Sequence, residues 1–331
     1  MRTLLTLISL CPALVADQQV LLVLLKGASA LGFYSMEGQP IAKVPVGLHP
    51  HEMVLSVDGR YAFITDNGVM RIENAGKGGN TVSVVDLHQR KRVDTIGGFG
   101  RLRRPHGIAI DPPTGRLAVT VESPVSGMFL LDGNKRSKMK VLETNGETSH
   151  MVVFGPGKSG AEHAYVSNAG SNDVSVVQLT TGGELKKIPT GKRPEGLVLS
   201  PNGKELYVCN RDSDMISIID TERRAALGQF RTGKGPVRIG ATPDGRMLVY
   251  ACMYGHYIEF ADVETRRPVA RVPVDGEPIS LSLSKDGKLA FAAVEEKDTV
   301  YVISVAERKV LKSFQVEKGG APDPVVLANL P

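Results

Sequence analysis

The sequence contains no tryptophan, only 5% aromatic residues and three cysteines in 331 residues. The missing tryptophan excludes any repeat whose signature is that residue. Three cysteines allow at most one disulfide. Cys209 and Cys252 fall six and seven residues after Gly203 and Gly245, which turns their side chains to opposite faces of their strands. Buried free thiols are therefore expected. Apart from the triplet Arg90-Lys91-Arg92, Lys/Arg runs are short pairs such as Arg103-Arg104 or Arg266-Arg267, and the net charge is only +5. A solvated surface explains this mild balance better than a nucleic-acid footprint does. There is no Gly-x-Ser-x-Gly, no phosphate loop and no Cys-x-x-Cys-His haem attachment.

Long apolar runs are also lacking, with one exception. Met1-Arg2 precedes an apolar stretch over 3–16, followed by polar Asp17-Gln18-Gln19. That stretch is too short to span a bilayer comfortably. It reads as a signal peptide over 1–16 cleaved after Ala16. A lipoprotein variant at Cys11 is disfavoured by the bulky Leu10. The expectation is a periplasmic or secreted protein that does not span the membrane, with one mature domain over 17–331.

What the sequence does contain is a repeat, spread through 36 glycines and 20 prolines. Its clearest copy is Arg193-Pro-Glu-Gly-Leu-Val-Leu-Ser-Pro-Asn-Gly203, then Glu205-Leu-Tyr-Val-Cys-Asn210, then Met215-Ile-Ser-Ile-Ile-Asp220. Each piece alternates apolar and polar residues, the strand signal. Pro-Asn-Gly between the first two marks a hairpin. Copies start at Pro50, Pro105, Ser149, Pro194, Pro236 and Pro278, with gaps of 55, 44, 45, 42 and 42 residues. The fourth copy predicts strand A at about 196–200, B at 205–210, C at 215–220 and D at 226–231. Four short strands in some forty residues is the pattern of a propeller blade. Residues 20–45 supply strands B, C and D without an A, and residues 322–327 supply an A with nothing after it. Together they predict a seventh blade that closes the ring. The fold class is thus all-β, a seven-bladed β-propeller with four-stranded blades.

Tyr165-Val-Ser-Asn168, Tyr207-Val-Cys-Asn210 and the looser Phe63-Ile-Thr-Asp66 resemble the repeat of the YVTN family of β-propellers, and the resemblance covers residues 20–331. It implies the propeller fold. The family and its lactonase-like and cytochrome-d1-like relatives include enzymes, haem-handling proteins and surface-layer proteins. The missing tryptophan argues against WD repeats and the Trp-bearing blades of quinoprotein dehydrogenases.

Equivalent positions of a propeller converge on its axis. The residue after each repeat's Pro (or Ser149) reads Asp323, His51, His106, His150, Glu195, Val237 and Ile279 round the ring. Three of the chain's seven histidines thus fall in register in consecutive blades, flanked by carboxylates. His51, His106 and His150 form a candidate ligand set for Fe, Cu or Zn at the mouth of the central channel. Glu195 or Asp323 would be a further ligand or a general base, and Arg238 would hold an anionic group or pair with Glu195. Three protein ligands leave a position for water or substrate. The expected function is a metal-dependent hydrolase, lactonase-like, or an oxidoreductase, acting on a small molecule at the mouth. The alternative is a non-catalytic propeller that binds a protein, a glycan or a haem-like ligand on that face. A single His at this position would more simply bond a neighbouring carbonyl.

A second ring is read at the Asn of the YVTN-like motif: Asp66, Glu122, Asn168, Asn210, Cys252 and Val294. Both rings are polar in blades one to four and apolar in five and six, as in a pocket with a few convergent polar groups. Asp66, Glu122, Asn168, Asn210 and the nearby His256 are candidate ligand-binding residues, though Asn and Asp at strand ends also simply make turns. His49 and Glu52 flank His51, and alternation predicts that at most one joins it. The insertion over 67–80 reads as a lid over the mouth or a tolerated surface loop.

Overall fold

The structure is a computed structural model that describes residues 18–157 and 159–331. The proposed signal peptide over 1–16 and Cys11 lie outside the described residues. The described chain forms seven four-stranded antiparallel sheets. Blade 1 comprises Pro50–Leu55, Tyr61–Asp66, Thr81–Asp86 and Lys91–Ile96, and blade 4 comprises Pro194–Leu199, Glu205–Asn210, Met215–Asp220 and Ala225–Arg231. The predicted boundaries of blade 4 are met within two residues. Blade 7 takes strands B, C and D from Gln18–Leu25, Ala30–Ser35 and Pro40–Pro45. Its inner strand, Pro322–Leu330, pairs antiparallel with Gln18–Leu25. No helix among the described residues is long and apolar enough to cross a membrane.

The core is divided rather than central. Each of the seven gaps between neighbouring blades holds its own apolar cluster. Phe63, Val84, Val119 and Phe129, for example, fill the gap between blades 1 and 2. Burying each such side chain contributes roughly 1.5–3 kcal/mol. The outermost strands carry the charge: Lys91, Lys140, Lys187, Arg271 and Lys309 lie on D strands. Every C–D pairing also has a register shift. Charged, bulged edges discourage pairing with another chain.

Cys209 and Cys252 are both free and buried. They belong to one apolar cluster in the gap between blades 4 and 5. Opposite faces of adjacent blades look into the same gap, so the predicted alternation brings the two thiols to one cluster.

Candidate functional site

Strand A is the innermost strand of each blade, and in blades 1 to 6 its pairing with strand B slips after the residue that opens the repeat (Pro50, Pro105, Ser149, Pro194, Pro236 or Pro278). The bulge breaks alternation. Its leftover N–H groups find a hydroxyl from strand B: Glu52 N donates to Thr65 Oγ1 at 3.0 Å, Gly107 N to Thr120 Oγ1 at 2.8 Å, and Met151 N to Ser167 Oγ at 3.1 Å. Each hydroxyl then donates to the ring residue of the next blade. Thr65 bonds His106 O at 2.8 Å, Thr120 bonds His150 O at 2.7 Å, and Ser167 bonds Glu195 O at 2.7 Å. The glycine of Pro-x-Gly permits this approach, since a Cβ on Gly107 would lie 2.6 Å from His150 O.

The first ring converges as its register predicts. His51, His106, His150, Glu195 and Asp323 are each 3–5% exposed. The rings of His106 and His150 lie 3.9 Å apart between centroids, those of His51 and His106 4.8 Å. His150 Nδ1 bonds Glu122 Oε1 at 2.8 Å, and its Nε2 lies 3.8 Å from Glu195 Oε2. His106 Nδ1 is buried without a hydrogen-bond partner among the described residues. His51 turns Nε2 to the carbonyl of Val69 at 2.7 Å. The potential ligand atoms that gather within 4.8 Å of one another come from His106, Glu122 and His150.

Burial holds His51 and His106 well below the usual imidazole range, and pushes His150 down to about 3. Burial also pushes the Glu122 carboxyl up to about 8. The site therefore presents neutral imidazoles and a reluctant carboxylate, groups that a cation would stabilise in their ligating forms.

Glu122 reaches this place by a register the sequence conceals. Pro105 pairs with Val121, whereas Pro50 pairs with Asp66 and Pro194 with Asn210. Glu122 thus stands one residue beyond the Asp66 position, in line with Lys26, Asn67, Ala169, Arg211, Met253 and Glu295. A one-residue step changes the face a side chain takes. Lys26, Arg211, Met253 and Glu295 all border the cavity at the channel mouth. The Asp66 position is spent elsewhere. Asp66 accepts from Gly47 N, Thr81 Oγ1 and Ser83 Oγ. Asn168 bonds Asp173 and Ser175, and Asn210 bonds Gly191 N and Ser217. Asp66 and Asn210 fasten the preceding D–A connection to their own blade, Asn168 ties strand B to strand C, and none of the three borders the cavity. His256 is exposed, a left-handed residue at φ 59° in a B–C loop, and does not border it either.

Blades 3 and 4 place Asn where blade 1 has a buried carboxylate, which burial pushes up to about 6. A carboxyl raised in the folded state contributes stability below about pH 4 and loses it as pH rises through 6. Asp66→Asn keeps a workable bonding pattern without the charge. It should raise the melting temperature by roughly 2–5 °C at pH 7.5, and the gain should vanish near pH 4. A gain independent of pH, measured by thermal melts across that range, would contradict the assignment.

A cavity of about 370 Å³ opens at this mouth. Its ring side holds His51, His106, His150, Glu195 and Asp323, and Val237 and Ile279 face them from blades 5 and 6. Arg238 crosses the channel: its Nε and Nη2 donate to Glu52 Oε1 at 3.1 and 2.7 Å, and its Nη1 lies 3.8 Å from Glu195 Oε2. Glu52 therefore joins the channel as well as His51. Of the two neighbours of which at most one is expected to join His51, it is Glu52 that does, while His49 bonds the carbonyl of Lys26. Asp323 pairs with Lys26 Nζ at 3.2 Å, and Lys26 also reaches Glu295 at 3.4 Å.

The insertion over 67–80 is a fastened strap. Met70, Arg71, Ile72 and Glu73 border the cavity. Arg104 donates to the carbonyls of Ile72, Asn74 and Gly76 at 3.2, 2.7 and 2.9 Å. Glu73 Oε1 accepts from Arg193 at 2.6 Å and Arg211 at 3.3 Å in blade 4. Sequence reasoning left Glu52 undecided against His49, and it missed Lys26, Arg193, Arg211 and Glu73 at the mouth. Anchoring the repeats on the hydroxyl position (Thr65, Thr120, Ser167) would have exposed the ring one residue past the motif.

A family model described as YNCE-like beta-propeller matches residues 148–260. A comparison with curated proteins finds no match. Among solved structures the chain is similar to Kuenenia stuttgartiensis hydrazine synthase, with 19% identity, a TM-score of 0.71, and 84% of this chain and 90% of that one covered. It is also similar to a functionally unknown protein from Desulfotomaculum acetoxidans DSM 771, at 13% identity, a TM-score of 0.77, and coverage of 94% and 99%. At such identities the likeness is one of fold. The chain is a β-propeller, and a constellation of buried histidines and carboxylates lies at one mouth of its channel.

Proposed function

We propose that the protein binds a divalent transition metal, Fe, Cu or Zn, through His106, His150 and Glu122, and uses it on a small molecule at the channel mouth. The observation that carries this reading is the buried His106–Glu122–His150 group, with its unpartnered His106 Nδ1. Ligands at tetrahedral angles about 2.1 Å from a metal stand roughly 3.4 Å apart. The group, whose atoms lie within 4.8 Å of one another, therefore needs to contract by up to roughly 1.4 Å to close on an ion. His51 becomes a third imidazole once the strap carbonyl of Val69 releases it. Glu195, 3.8 Å from His150 Nε2, is placed to orient that ring or take a proton. Asp323 is tied to Lys26 and stands further round. A metal here would polarise a carbonyl or activate water, which fits hydrolytic chemistry as well as redox chemistry. A YVTN-type propeller exported under a signal over residues 1–16 is the setting this reading assumes.

Zinc or cobalt(II) titrated into chelator-stripped protein should bind one ion per chain. His106→Ala should weaken that binding at least about 100-fold, and Glu122→Gln about 10- to 100-fold. Unchanged binding in a His106→Ala/His150→Ala double variant would overturn the proposal.

A further inference from the structure

We infer that the mouth recognises an amphipathic monocarboxylate, whose carboxylate replaces Glu73 on Arg193 and Arg211 while its apolar part lies along Val237, Ile279 and Met253. This deepens the reading of the same cavity, and only the reactive end of the ligand depends on the metal. Arg193, Arg211 and Arg238 supply three positive charges on this side of the mouth. Glu195 and Glu52 are the two buried acids they pair with. Two surface carboxylates complete their shell: Asp212 takes Arg211 Nε at 3.1 Å, and Glu73 of the strap takes Arg193 and Arg211 together.

Glu73 is a substitute partner by its placement. It sits on an insertion that no other blade has, its side chain is 54% exposed, and a single oxygen takes both guanidiniums. Arg193 and Arg211 are instead held by the protein body: Arg211 Nη1 reaches Glu195 Oε1 at 2.9 Å and Arg193 Nε reaches it at 3.4 Å. Two preset guanidiniums make a carboxylate seat that outlasts removal of the strap. One carboxylate exchanges charge for charge with Glu73. A phosphate dianion would leave an excess.

The remainder of the cavity gives the second half of the ligand. Val237 and Ile279 occupy ring positions that are acidic or imidazole in the other blades, and Met253, Met70 and Ile72 extend the apolar wall. Tyr254, half exposed, lies over Arg211 with 6.0 Å between guanidinium carbon and ring. A carboxylate seated on Arg193 and Arg211 has this wall beside it. It also has His150, which contacts Glu195, as its polar neighbour.

The test is calorimetric titration of the full chain, stripped of metal, with octanoate, acetate and 1-octanol. Octanoate should bind Glu73→Gln about 3- to 10-fold more tightly than the parent, because its competitor is gone. Adding Arg193→Gln should reverse that gain. Acetate should bind at least tenfold more weakly than octanoate. Octanol should not respond to either substitution. Equal octanoate affinity in the parent and Glu73→Gln, or octanol binding as tightly as octanoate, would overturn the inference. Glu73 is exposed, so a thermal melt of Glu73→Gln should match the parent. Because no metal is present, either failure leaves the zinc-binding result standing, and loss of zinc binding leaves this one standing.

Discussion

Replacing Arg238 by methionine should lower the melting temperature by roughly 5–15 °C at pH 8, from removal of one partner of a buried ion pair at about 3–5 kcal/mol. Arg238, whose side chain is only 11% exposed, links blade 5 to Glu52 of blade 1 across the channel, with Glu195 at its other side. Burial raises the Glu52 carboxyl, and Arg238 is the largest influence holding it down. Without the guanidinium, Glu52 is forced towards its protonated form on folding. Its raised folded-state value gives stability below the unfolded range near 4.5, which is lost as pH rises. The deficit of Arg238→Met should therefore shrink at pH 5. Arg238→Met/Glu52→Gln should recover most of it at pH 8, since the stranded charge is gone. Thermal melts of the single and double variants at both pH values decide the matter. A single variant as stable as the parent at pH 8 would show that the cross-channel pair does not hold the ring together.

Deleting residues 322–331 should leave no folded monomer. Those residues form the inner strand of blade 7, with Val325, Ala328 and Leu330 buried, and they cover the first strand of the described chain. Removing them uncovers Leu21, Val23 and Leu25, all fully buried, and opens an unpaired strand edge on the channel. Exposing this apolar surface to water costs roughly 10 kcal/mol, comparable to the whole net stability of an ordinary protein. Size-exclusion chromatography should show aggregate or oligomer. A synthetic peptide of residues 320–331 should restore the monomer by strand addition. A truncated chain that elutes as a monomer with an unchanged melt would refute this account of closure.

The fold was legible because it repeats: six starting residues at near-constant spacing determine the blades, and two half-blades at the termini determine the seventh. The first ring was legible for the same reason, since register carries His51, His106 and His150 to one mouth. Three things were not legible. The bulge in strand A brings Glu52 in beside His51, and a local slip of pairing leaves no mark in an alternating pattern. Glu122 was aligned with Asp66, although pairing puts it one residue further on, because blade 2 lacks the Asn that marks the motif elsewhere. The strap has no counterpart in other blades, so nothing in the repeat could show that Glu73 lands on Arg193 and Arg211.

The hydroxyl links between blades run one way round the ring. Thr65, Thr120 and Ser167 each set the backbone of the ring residue one blade ahead, His106, His150 and Glu195 in turn. The equivalent positions in blades 4, 5 and 6 are Cys209, Ala251 and Ala293, which hold no such bond. The geometry of the mouth is thus written in neighbouring blades, on side chains that do not border the cavity. Exchanging Thr, Ser, Cys or Ala at those positions would shift the backbone of the ring residues while every residue that lines the cavity stayed the same.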